Sequence, residues 1–201
     1  MSVRLRSIMG LLALLAAALG AGAFSRRPLP ARAAEPLCFS QPGVVDCVAG
    51  VFREYWEGAG GLPTFGYPVS PAKDESTPAG TFLTQYFERA RFEYHPENPQ
   101  PFQVQLGLLG RELYGPSLIP PDRPQNGCRY FEATGYNVCP PFLNRWQAAG
   151  EALGRGSLDL YGLPISPLVL SQDRQGRPIS VQWFERARFE LHSQNQILLG
   201  L

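Results

Sequence analysis

QYFERARFEYH occupies residues 85–95, and QWFERARFELH occupies residues 182–192. Nine of the eleven positions agree across a separation of 97 residues. Read as one continuous strand, FERARFE sends Phe87 and Phe92 to opposite faces, because side chains alternate along a strand. Reversing the chain at Arg89-Ala90 removes the conflict: Glu88 then faces Arg91, Phe87 faces Phe92, and Gln85 faces Tyr94. The same reversal in the second copy pairs Glu185 with Arg188, Phe184 with Phe189, and Gln182 with Leu191. A Glu–Arg pair beside the turn contributes about 0.2–1 kcal/mol. Arg-Ala is poor chemistry for a two-residue turn, which favours Asn-Gly, so a longer loop over 88–91 is the alternative. In either case Phe87, Phe92, Phe184 and Phe189 are expected to be buried.

Other stations recur in the same order at separations of 90 to 97 residues. Cys38 and Cys47 enclose FSQPGVVD, and Cys128 and Cys139 enclose RYFEATGYNV. FREYW (52–56) then matches FLNRW (142–146), FGYPVSP (65–71) matches YGLPISP (161–167), and VQLGL (104–108) matches ILLGL (197–201). Such periodicity predicts a duplicated unit of about 75 residues, spanning 38–114 and 128–201. The first unit runs on past its LGL station. The second ends there, so its end is either truncated or completed by something else. Four prolines in 115–127 predict a stiff, extended linker. Within a unit, Val44, Cys47, Val48, Val51, Phe52, Tyr55 and Trp56 follow the stripe of an amphipathic helix, closed by Gly58, Gly60 and Gly61. Pro140-Pro141 suits the opening turn of the matching helix. The expected fold class is α+β: two tandem repeats, each an amphipathic helix plus a β-hairpin or small antiparallel sheet, stapled by a disulfide.

Arg4 and Arg6, an apolar run from Ile8 to Leu19 and small residues after it have the layout of a secretory signal peptide. Small-x-small cleavage sites end at Ala23 and Ala33; Arg26-Arg27-Pro28 favours the second, giving a leader over 1–33. The competing reading is an uncleaved anchor, although 8–24 falls short of the roughly 20 apolar residues that span a bilayer. Beyond residue 33 there are 13 basic and 17 acidic residues, a net charge of −4. A mildly acidic surface argues against a nucleic-acid partner. Four cysteines in an oxidising compartment predict disulfides rather than zinc, there being no CxxC spacing. The expected pairs are Cys38–Cys47 and Cys128–Cys139; the symmetric alternative joins Cys38 to Cys139 and Cys47 to Cys128.

The order FG-P-S, acidic residues, Gly, Q-x-F-E-x-x-x-F and V-x-LG resembles the LGFP-type repeat of secreted and cell-surface bacterial proteins, and more closely a tandem FERARFE repeat of Chloroflexi-type bacteria. The resemblance covers nearly all of 38–201. FGYP and YGLP stand in place of LGFP, and the hairpin lacks the family's glycine. The resemblance implies a non-catalytic protein that attaches to envelope polysaccharide.

Chemistry can be sought at the hairpins. Glu93 and His95, like Glu190 and His192, share a strand face at i and i+2, a geometry open to metal binding or proton transfer. Two ligands make an incomplete metal site, so neither metal nor cofactor is expected. A glycosidase needs two carboxylates converging on a cleft, whereas Glu88 and Glu185 already have arginine partners. No GxSxG, HExxH or phosphate loop occurs, and no catalytic residue is expected. Tyr86 and Trp183 occupy one repeated position opposite Phe87 and Phe184. Facing outward, they form planar platforms for sugar rings, with Arg91, Arg188, Glu93, Glu190, His95 and His192 alongside. The expected function is exported, non-enzymatic binding of cell-envelope polysaccharide or peptidoglycan, with no membrane contact beyond such an anchor. Two alternatives are a small secreted hydrolase or metal-dependent enzyme using the Glu-His strand edges, and a structural or protein-binding surface module.

Overall fold

Each cysteine bonds to its neighbour in sequence: Cys38 to Cys47 and Cys128 to Cys139. This is the expected pairing, and no disulfide joins the halves of the chain. The computed structural model describes residues 35–200, apart from 42–43, 45, 78–79, 153–155, 193–195 and the side chains of 149–152. The expected leader over 1–33 lies outside the described residues. Among the described residues no helix is long and apolar enough to cross a membrane. The disulfides are compatible with an extracellular protein.

The first half begins with β1 (Leu37–Cys38) paired antiparallel to β2 (Cys47–Val48). Helices α1 (Gly50–Gly58) and α2 (Gly61–Phe65) follow. Then β3 (Lys73–Thr77), β4 (Gly80–Tyr86), β5 (Arg91–Tyr94) and β6 (Val104–Leu106) form an antiparallel sheet in that order. Helix α3 (Leu109–Tyr114) ends this half.

The second half has its strands and helices in the same order up to the last strand of its sheet. β7 (Arg129–Phe131) pairs with β8 (Tyr136–Val138), followed by α4 (Phe142–Ala152) and α5 (Ser157–Tyr161). β9 (Val169–Gln172), β10 (Pro178–Trp183), β11 (Arg188–Leu191) and β12 (Ile197–Leu199) make a second four-stranded antiparallel sheet. The molecule is therefore α+β.

Four expectations need correction or refinement. The helical stripe from Val44 is interrupted, because Cys47 and Val48 pair with Cys38 and Leu37 and α1 starts only at Gly50. A disulfide that closes a hairpin across this stretch holds it extended. The helix itself buries Phe52, Tyr55 and Trp56 at i, i+3 and i+4, as expected.

The hairpin register differs from the expected one by two residues. Gln85 opposes Phe92 and Tyr86 opposes Arg91, and in the second copy Gln182 opposes Phe189 and Trp183 opposes Arg188. The reversal occurs at Arg89-Ala90 and Arg186-Ala187 as a four-residue loop, closed by Phe87 N to Ala90 O and Phe184 N to Ala187 O, both 2.8 Å. Glu88 turns away from Arg91, because its carboxylate accepts the Tyr67 amide at 3.1 Å and its own amide bonds Tyr67 O at 3.0 Å.

That arrangement explains the FG-P signature. Gly66 and Gly162 both sit at φ +76°, where a side chain is strained. A Cβ on either would also strike the glutamate behind it, Glu88 or Glu185. The 115–127 segment has no helix or strand of its own, yet it is not a free linker. Asp122 N bonds Gly135 O at 2.7 Å, Asn137 Nδ2 bonds Arg123 O at 2.7 Å, and Tyr136 Oη bonds Ile119 O at 2.9 Å.

All four phenylalanines are buried as expected: Phe92, Phe184 and Phe189 are 0 % exposed and Phe87 is 3 % exposed. Phe92 lies under Phe52, Tyr55, Phe65 and Phe87, with ring centroids 4.2–5.9 Å apart. Phe189 is met edge-on by Tyr161 and at a tilt by Phe184, with Phe142 stacked 6.4 Å away. These clusters merge into one core running through both halves, and such edge-on and tilted pairs add about 0.5–1.5 kcal/mol each beyond area burial. Trp56 and Trp146 belong to it, each donating its indole N–H to a glycine carbonyl, Gly66 O or Gly162 O.

Candidate functional site

The hairpins carry their singled-out residues on the sheet face opposite Phe92 and Phe189, because Arg91, Glu93 and His95 alternate with Phe92 and Tyr94. In the first half this face is covered. Arg91 is 6 %, Glu93 8 % and His95 9 % exposed. The Arg91 guanidinium donates from Nε to Glu93 at 2.8 Å and from Nη1 and Nη2 to the two oxygens of Glu112, on α3, at 2.7 and 2.8 Å. Burial acts to lower the Arg91 pKa, but the bonds to Glu112 and Glu93 outweigh it and raise the value. Bidentate pairing of this kind is both strong and directional. His95 Nδ1 lies 3.1 Å from Glu97 Oε1, while its Nε2, 3.5 Å from Glu93, is buried without a hydrogen bond. The Phe82 ring covers the imidazole at 4.0 Å.

The second half is more open. Arg188, Glu190 and His192 are partly exposed. His192 Nε2 lies 2.9 Å from Glu190 Oε2, so each expected Glu-His neighbourhood exists on its strand. Among the described residues, no group of three or more His, Cys, Asp or Glu is placed to hold a metal. Arg188 Nη2 forms an ion pair with Glu190 Oε1 at 3.2 Å, while its buried Nε makes no hydrogen bond.

Tyr86 and Trp183 are half-buried and engaged. The Tyr86 hydroxyl donates to Glu75 at 2.9 Å; burial, and then this bond, raise the phenol pKa. Arg91 lies over its ring at 5.8 Å. Trp183 stacks on Tyr114 of α3, centroids 5.4 Å apart at 30°, and Arg188 lies over the indole at 5.4 Å. The rings thus meet protein groups, and the accessible chemistry lies beside them.

A cavity of about 390 Å³ opens on the outer face of the second sheet. Arg89, Arg145, Arg174, Arg188 and His192 line it, together with the carboxylates of Asp173 and Glu190. They converge from the first hairpin tip, helix α4, the β9–β10 turn and strand β11. Asp173 is occupied by the Arg177 side chain at 2.6 Å and by the Gln175 and Arg177 amides. Arg174 makes no hydrogen bond or ion pair among the described residues. Sequence reasoning found Arg188 and His192 but missed Arg89, Arg145 and Arg174, which lie in three other stretches of the chain.

Two further pairs escaped it. Ser70 Oγ accepts the Tyr86 amide at 3.0 Å, and Ser166 Oγ accepts the Trp183 amide at 2.9 Å. Gln85 Nε2 donates to Cys47 O and Ser70 O, as Gln182 does to Asn137 O and Ser166 O. Their signal was their recurrence at equivalent positions of the two copies. Comparison with protein-family models, curated proteins and solved structures finds no match.

Proposed function

We propose that this protein is an exported, non-catalytic module, built from a duplicated unit, that binds an acidic polysaccharide or peptidoglycan of the cell envelope in the arginine-lined cavity. One observation carries the reading: four guanidiniums and an imidazole, against the two carboxylates of Asp173 and Glu190, converge on an open cavity in a chain that is net acidic beyond residue 33. The cavity volume falls within the roughly 300–1,000 Å³ of small-ligand sites. Guanidinium forks match carboxylates bidentately, so the glycan is one bearing uronate or peptide carboxylates. Trp183 supports the site through Arg188, which lies over its indole, in place of the sugar platform.

The test compares retention of the disulfide-bonded chain on native envelope glycan with retention on the same glycan after carboxyl reduction. Retention on the native form only is expected, falling with salt because the attraction is electrostatic. The Arg145→Ala/Arg174→Ala variant should lose about tenfold or more in affinity, since hydrogen bonds to charged groups contribute about 1.5–3 kcal/mol each. Equal retention on both glycans, or an unaffected double variant, defeats the reading.

A further inference from the structure

The two hairpin tips are alike in sequence but unequally satisfied. Glu185 accepts the Leu163 amide at 3.0 Å and the Arg111 guanidinium through Nε at 3.2 Å, and its carbonyl accepts the Arg111 amide at 3.1 Å. Glu88 has the equivalent of the first contact alone, the Tyr67 amide, with Arg89 at 3.9 Å. Correspondingly, the Glu88 side chain is 29 % exposed and that of Glu185 16 %. Arg91 has the fork of Glu112, whereas the equivalent Arg188 has only the ion pair of Nη2 with Glu190 at 3.2 Å and keeps its buried Nε without a hydrogen bond. Leaving such donors unmatched is costly.

Glu88 therefore lacks the second arginine that Glu185 has in Arg111, and Arg188, paired with Glu190 alone, lacks the second glutamate that Arg91 has in Glu112. In the satisfied counterparts these two groups are consecutive, Arg111 and Glu112 of α3. One segment of the same pattern would complete both. A cavity of about 50 Å³ is lined by Glu88 and Arg188 together, along with Gly110, Leu113, Trp183 and Gly200. The α3 contact also shows what else the occupant needs. Gly110 lies so close to Phe184 O that a Cβ would collide with it, and Tyr114 stacks on Trp183. The matching features of the first tip are Phe87 O and the Tyr86 ring.

We propose that the surface between the hairpin tips, at Glu88 and Arg188, docks a short helical segment of a partner polypeptide. In that segment glycine, arginine and glutamate are consecutive, with an aromatic residue two positions after the glutamate. This site goes beyond the glycan reading. Arg188 borders both cavities, so the two are separated through Glu88 on one side and Arg145 and Arg174 on the other.

The probe is a capped peptide with the sequence of residues 108–115, LLGRELYG, labelled and titrated with the full disulfide-bonded chain. Saturable binding is expected. Glu88→Gln should weaken it about tenfold, the value of one charge-assisted bond, while its amide oxygen still accepts the Tyr67 N–H and preserves the fold. Arg188→Gln should weaken it similarly, and exchanging Arg and Glu in the peptide should abolish it. The Arg145→Ala/Arg174→Ala variant should bind the peptide unchanged. Absence of saturable binding overturns the proposal, as does wild-type affinity in Glu88→Gln. Loss of binding in Glu185→Gln rather than Glu88→Gln also overturns it, because the peptide would then be displacing α3. Full competition by free glucuronate would reduce Arg188 to a small-anion site and sink the helix reading.

Discussion

Gln85 and Gln182 are each 1 % exposed, and each amide ties together two backbone carbonyls from different elements. In the first half the carbonyls belong to Cys47, beside the disulfide, and Ser70, at the turn before the sheet. Replacing a buried donor with a similar apolar shape strands both acceptors, at about 1–3 kcal/mol each. Gln85→Leu and Gln182→Leu are therefore expected to lower the urea midpoint more than any exposed substitution on the same strands. Chemical denaturation followed by tryptophan fluorescence checks this. A shift near zero would mean that water replaces the amide. At this scale the sequence was informative about identity and silent about role. The glutamine stands in both copies of the motif, but its carbonyl partners lie 15 and 38 residues away.

Among elements, α3 departs furthest from its local sequence. LGRELY has six residues and no side-chain cap, too little for an isolated helix in water. Its placement depends on Glu185 and Trp183, contributed by the other half. This is why it could not be read from residues 109–114, while α1, with its own apolar stripe, was largely legible. The hairpin shows the same division. Chain reversal and phenylalanine burial follow from alternation, but the register depends on Glu88 turning back to Tyr67. Likewise the aromatic pair was visible in the repeat, and its cover by Tyr114 was not. Burial acts to raise the Glu185 pKa, but the Leu163 amide and the Arg111 and Arg186 guanidiniums outweigh it and lower the value. A carboxylate with a lowered folded pKa contributes stability above the ordinary glutamate range, and this is lost as pH falls below that range. Acidification below about pH 4 should loosen α3, seen as altered tryptophan emission from Trp183. Glu185→Gln should flatten that acid limb, and an unchanged limb would place the titration elsewhere.

At the scale of the whole molecule, each disulfide closes a loop inside its own half, so no covalent bridge except the main chain joins them. The shared core, the Arg186 to Leu106 O bond at 3.0 Å and the α3 contacts do the joining. The seat of α3 on the second hairpin has a consequence for a chain cut open. Cleavage just after α3, near Pro116, would leave a first fragment whose last helix still grips the second. Such a nicked protein should elute as a single species under non-reducing, native conditions and separate only in denaturant. If the fragments part on native size-exclusion, the grip of α3 is too weak to hold them. If they stay together, the protein can be assembled from two separately made chains, with the first acting as clasp for the second.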